Sequence, residues 1–209
     1  GRKNPYPLVK VVARDATGKV LAQARVVLPV SDEMSCASCH ASNTGTADAR
    51  PNAGWANLGN PERDYKMNIL RLHDQKHQAS AGFANAANTL IAANKYPGTL
   101  RSGLATLAAN DNPVLCASCH ASNALPGTGV AGVKPLTQAI HCHHAGVKDA
   151  QTGQLLDSID NRSACYQCHP GSETKCLRGA MGNAVDANGK ATMDCQACHG
   201  GMSNVGRPG

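Results

Sequence analysis

Cysteine occurs ten times in 209 residues, and eight of the ten stand in one pattern, Cys-x-x-Cys-His, repeated four times. The copies are Cys36/Cys39/His40, Cys116/Cys119/His120, Cys165/Cys168/His169 and Cys195/Cys198/His199. No other feature narrows the possible folds so far, because each copy ties two thiols and an imidazole to one small patch of chain. Two cysteines three apart can add to both vinyl groups of one porphyrin, and the next residue places an imidazole over the iron. Paired cysteines alone would also serve zinc. Zinc, however, needs no histidine directly after each pair, and all four pairs have one. A thioredoxin-like redox motif fails on the same ground and would stand once, in a βαβ setting. The spacing points to four covalently attached c-type haems, with the eight cysteines as thioether donors and His40, His120, His169 and His199 as proximal iron ligands.

Five histidines remain for the four distal positions: His73, His77, His141, His143 and His144. They fall in two clusters, HDQKH at 73–77 and HCHH at 141–144. His73 and His77 are i,i+4 on an expected helix and project from one face a turn apart, which suits two closely stacked haems. His141 and His144 are i,i+3 and suit another pair, leaving His143 as the spare. Which distal histidine serves which iron does not follow from spacing. Methionine is the rival sixth ligand. Of Met34, Met67, Met181, Met193 and Met202, two precede attachment motifs closely and fit better as packing against a ring edge. Cys142 and Cys176 lie outside the motifs, and in an exported chain we expect them to pair. Trp55 reads as core or haem-edge packing, and little weight falls on the glycosylation triplet Asn161-Arg162-Ser163.

The rest of the composition agrees with a core that side chains alone do not fill. There is one Trp and one Phe, and much of the apolar content is alanine, whereas interiors are normally packed densely with larger side chains. The formal charge of +6 does not argue for nucleic acid, since the basic residues are scattered with no basic run. Four haems, each adding two propionates and keeping about one positive charge when ferric, bring the chain to about +2 oxidised and about −2 reduced. No stretch is long enough to span a membrane. Nothing at the start reads as a signal peptide, so we expect a processed product with its leader removed.

Apolar, β-branched runs at 8–14 and 20–28, joined by Asp15-Ala16-Thr17-Gly18-Lys19, predict a hairpin ended by Pro29. Asn60 as cap and Pro61 at the first helical position predict a helix to about Gln78. Ile69, Leu70, His73 and His77 are expected along one side of it. Weaker helices are expected at about 83–94 and 99–109, and a short one from about Pro135 to Ala145 closed by Gly146. The rest reads as loop. The octapeptide CASCHASN occurs at both 36–43 and 116–123, each copy followed by a histidine-bearing helical segment. The expected layout is a hairpin segment over 1–30 and a tetrahaem domain over 31–209. The fold class is that of a multihaem cytochrome c: mostly loop, a few short α-helices, a small N-terminal β-hairpin and a core of stacked haems.

The runs SDEMSCASCHASN, GNPERDYKMNILRLHDQKH, PVLCASCHASNAL, LTQAIHCHHAG, CYQCHPGSETKCLRGAMG and CQACHGGMSNVG carry a resemblance over nearly the whole chain. It resembles the multihaem cytochromes of metal-reducing, Geobacter-like bacteria, and among them the tetrahaem extracellular cytochromes of the OmcE type, which polymerise into conducting filaments. The resemblance implies bis-histidine haems in a continuous stack, little regular secondary structure and one iron ligated by a neighbouring subunit's histidine. Related chains often continue past a VG-x-P-like stretch with further haem motifs, so the resemblance leaves open that this chain is a fragment of something longer.

Three functions compete. The expected one is an exported electron conduit at the cell exterior, a subunit of a head-to-tail homopolymer that exchanges electrons with other redox proteins or extracellular acceptors. The alternative is a soluble periplasmic electron shuttle. A third is an enzyme such as a multihaem nitrite or sulfite reductase. Catalysis at haem needs an open coordination position, and eight histidines for four irons leave none, so no enzymatic activity is expected.

Overall fold

The first turn of the chain is built by one carboxylate. Asp15 Oδ1 accepts from Thr17 N at 2.9 Å, Thr17 Oγ1 at 2.7 Å and Lys19 N at 3.0 Å. Gly18 follows at φ +86°, a left-handed conformation that costs glycine nothing. This turn joins β1 (Leu8–Arg14) to β2 (Val20–Val27) in an antiparallel pair running from Leu8↔Val27 to Ala13↔Ala22. A register shift follows between Ala13 and Arg14, the extra residue of a β-bulge. The expected hairpin therefore forms, ending at Val27. Alternation puts Val9, Val11 and Ala13 on one face with their partners Val26, Ala24 and Ala22. That face is wholly apolar, yet Val11 is 55% exposed.

The computed structural model describes residues 8–27, 34–122, 125–161, 163–169, 185–189, 192 and 195–207, apart from the side chains of 27, 197 and 198. Pro29, Cys176, Met181 and Met193 lie outside them, and with Cys176 so does the expected Cys142–Cys176 bridge. The architecture is mixed helix and loop with this one small sheet. It divides into two compact units, one of Gly1–Ser35 with His144–Val205, the other of Cys36–His143 with Gly206–Gly209.

The unit of Cys36–His143 is the more helical. Its first attachment motif forms α1 (Ala37–His40). The longest helix, α2 (Pro61–His77), starts as the sequence predicts: Asn60 Oδ1 accepts from Arg63 N at 3.0 Å and Pro61 needs no partner for its missing N–H. Its buried positions are Asp64, Asn68 and Leu72, a stripe of i,i+4 spacing. Two of these three innermost residues are polar, and none of them belongs to the side of Ile69, Leu70, His73 and His77. Helix α3 (Ala81–Ala92) begins two residues before its expected start, because Ser80 Oγ accepts from Phe83 N at 3.1 Å and caps it there.

The helix expected over 99–109 is two pieces, a 3₁₀ turn at Gly98–Ser102 and α4 (Leu104–Ala109). Gly103 separates them at φ +107°. The carboxylate of Asp74 caps α4, accepting from Leu104 N and Ala105 N at 2.8 Å each. Ala87, Leu90, Leu100 and Leu107 make the buried core of this unit, flanked by Phe83 and Tyr96. Helix α5 (Leu136–His144) matches the short helix expected there. Gly146 does not end it in a left-handed cap, since its φ is not positive; Val147 N instead donates to His144 O at 2.9 Å.

In the other unit Ala145, Leu156, Ala164 and Met202 cluster with Val147. Beside them Asp149, 2% exposed, accepts from Gln151 N at 2.8 Å, Ser163 Oγ at 2.9 Å and Asn161 Nδ2 at 3.2 Å. Burial pushes this carboxyl up, but those bonds together outweigh it and hold Asp149 below the usual carboxylate value. Helix α6 (Cys195–His199) ends the set. Six of the twelve buried apolar residues among those described are alanine, so the side chains supply little core volume. Among the described residues no helix is long and apolar enough to cross a membrane.

Candidate cofactor-attachment and metal site

Each attachment motif is one turn of helix. Cys36 O accepts from Cys39 N at 3.3 Å and His40 N at 3.0 Å; Cys116 O accepts from Cys119 N at 3.2 Å and His120 N at 3.0 Å; Cys165 O accepts from Cys168 N at 3.3 Å and His169 N at 2.9 Å. The fourth motif is the helix α6 itself. Residues i, i+3 and i+4 of a turn share a face. In the first three copies, both cysteines and the histidine therefore leave the same side of the turn. The Cys198 side chain lies outside the described residues.

Two motifs and α2 share one unit. The Cys36 thiol is pushed up, first by desolvation and then by the Cys116 thiol. Because residue 36 is exposed as a whole, the proximity of Cys116 is the informative cause. Burial and Cys116 likewise raise Cys119. From α2, His73 reaches the second motif: its ring centre is 6.5 Å from that of His120, with the planes at 86°. Metal–imidazole bonds are about 2 Å long, so two rings facing across one metal have centres about 6 Å apart. His77 lies 5.0 Å from His73, ring centre to ring centre. Partial burial, then the neighbouring His73, Lys76 and His120, hold His77 below its ordinary value. It is neutral at pH 7, the form that ligates iron.

Other bonds orient the imidazoles. His120 Nδ1 donates to Lys134 O at 2.8 Å, and His141 Nδ1 donates to Thr137 O, one turn earlier on α5, at 2.7 Å. A ring whose Nδ1 donates to a carbonyl carries its lone pair on Nε2, the usual tautomer of a ligating histidine. Lys134 and Thr137 escaped the sequence reading because their backbone carbonyls act, and a carbonyl has no residue signature. His143, the expected spare, is exposed, and its Nε2 accepts from Lys76 Nζ at 2.9 Å. His73 Nδ1 is buried without a hydrogen-bond partner, and Asp74 Oδ1 stands 3.9 Å away. An unsatisfied buried nitrogen costs about 1–3 kcal/mol, a cost that fits a ring shaped to hold a further group.

A groove of about 590 Å³ lined by Tyr96, Pro97, Val114, Leu115 and Ser118 opens beside the second motif. The donor set of this unit thus fits two haems, with both attachment turns, His73 and His77 at hand. His144, His169 and His199 belong to the other unit. Among the described residues no group of three or more histidine, cysteine or acidic side chains converges on one point. That is the pattern of a tetrahedral zinc centre, and haem does not need it. Compared with family models, curated proteins and solved structures, the chain matches none.

Proposed function

We propose that the chain is a tetrahaem c-type cytochrome that carries electrons along bis-histidine haems, as a subunit of an extracellular filament. The observation that carries this reading is the common helical turn of the first three Cys-x-x-Cys-His motifs, which turns two thiols and an imidazole to one side. Two features add to it: the 6.5 Å spacing of His73 and His120, and the two rings whose Nδ1 is held by a carbonyl. When bound, haem supplies reversible one-electron transfer at iron. The chain's own part is to hold each ring by two thioethers, to direct neutral imidazoles at the metal and to keep the rings close. With His40, His120, His169 and His199 proximal and His73, His77, His141 and His144 distal, every iron is closed, and the chain transports electrons rather than transforming a substrate.

Filament formation is favoured over a periplasmic shuttle by the apolar hairpin face of Val9, Val11, Ala13, Ala22, Ala24 and Val26, where Val11 is 55% exposed. Surface of that kind marks association sites. A pyridine haemochrome assay tests the core of the reading: four c-type haems per chain, low-spin when oxidised, with no methionine charge-transfer band. A high-spin component equal to one haem in the assembled protein would reopen the enzymatic alternative.

A further inference from the structure

The residues between the paired cysteines differ among the four motifs. They are Ala and Ser in the first two copies, whereas the third reads Cys165-Tyr166-Gln167-Cys168 and the fourth Cys195-Gln196-Ala197-Cys198. Both glutamines reach one buried cluster. Gln167 Nε2 donates to Asp149 Oδ1 at 3.3 Å, and Gln196 Nε2 donates to Asn161 O at 2.7 Å. The cluster closes between them: Asn161 Nδ2 donates to Asp149 Oδ2 at 3.2 Å, and Ser163 Oγ lies 2.9 Å from both Asp149 Oδ2 and Asn161 Oδ1. Asp149 and Asn161 are each 2% exposed, and Gln196 is buried with them. Asn161 and Ser163 belong to the glycosylation triplet, yet their side chains serve this cluster. Asn161 O also accepts from Ala164 N at 3.0 Å, which sets it at the entry to the third attachment turn. Two attachment turns distant in the chain thus meet through one carboxylate and one carbonyl.

Hydrogen bonds behind a ligand or an attachment point hold it to a geometry that packing alone leaves loose. We infer that Asp149 and Asn161 are positioning residues that lock the third and fourth attachment turns together through Gln167 and Gln196. The haem carried by Cys165, Cys168 and His169 and the one carried by Cys195, Cys198 and His199 then stand as neighbours at a fixed separation. The inference rests on the haem reading above.

Two neighbouring haems report their own separation. Ferric haem carries one more positive charge than ferrous haem, so oxidising one makes the other harder to oxidise, and the effect weakens with distance. Potentiometric titration of the haem-loaded protein, followed by proton NMR of the haem methyls, reads this interaction pair by pair. Gln167→Ser gives the third motif the serine that the first two carry at that position, and Gln196→Met keeps the side chain's length without its donor. In each variant the interaction between the third and fourth haems falls while those of the other pairs hold. A general loss of packing would lower the melting temperature without a change confined to one pair. A wild-type interaction in either variant, with four haems attached, overturns the inference and leaves the haem reading standing. If Gln167→Ser does not fold, Gln196→Met decides. A wild-type chain without haem overturns both.

Discussion

Asn68 is the most constrained side chain of α2. It is 0% exposed, donates to His40 O and Ser42 Oγ, and accepts from Ala56 N at 2.8 Å. Asn68→Ala leaves buried backbone groups without partners, and each costs about 1–3 kcal/mol. We expect a loss of about 3 kcal/mol in denaturant unfolding of the haem-loaded protein. Asp64 and Asp149 give the pH dependence. Both carboxyls lie below the reference value of 3.8 in the folded chain, so the unfolded chain binds protons first as the pH falls. Their stabilisation is fully present above that value and is lost as pH drops through the lower, folded one. Unfolding followed by circular dichroism should hold steady near neutrality and weaken in acid. Ser42→Ala, which removes a bond that depresses Asp64, should make the acid limb shallower.

At the scale of elements, α2 acts as a ruler. Its first half grips the first attachment turn and its last turn presents His73 and His77, with Asp74 between them capping α4. The join to α4 depends on Gly103. Its φ is +107°, and a Cβ there would stand 2.6 Å from Asp74 Oδ2. Gly103→Ala should cost about 2–3 kcal/mol by strain and loss of the cap. Gly59→Ala, with open space around it, is the control and should melt within error of wild type. Equal melting temperatures for the two variants would show that the Asp74 cap does not hold α4.

For the whole molecule, assembly is the property to measure. The apolar face of Val9, Val11, Ala13, Ala22, Ala24 and Val26 favours association, as would the near-zero net charge that four bound haems would give. A contact between unlike surfaces does not close on itself and propagates as a helix. Sedimentation and negative-stain microscopy of the haem-loaded protein should find fibres or concentration-dependent multiples of the chain. A monodisperse species of one chain, unchanged on concentration, would leave the soluble shuttle.

The turn within each Cys-x-x-Cys-His motif, the hairpin and the start of α2 were legible from the sequence because each is local. Cys-x-x-Cys-His closes within one turn, Asp15 caps its own loop, and Asn60 with Pro61 starts the helix that follows. The contents of the buried stripe of α2 were not legible. The burial of Asp64 and Asn68 has no signature in the helix itself, because a buried polar side chain is stable only when partners outside the helix satisfy it, here Ser42, Ala56 and Leu58. The helix over 99–109 was misread as continuous for the same reason, since Asp74 caps α4 from 30 residues away. Sequence spacing determined which thiols and imidazoles leave one turn of chain together. Tertiary structure alone decided that His73 stands by His120 and that Ser42 meets the Asp64 carboxylate, because only folding brings residues so distant in the chain together.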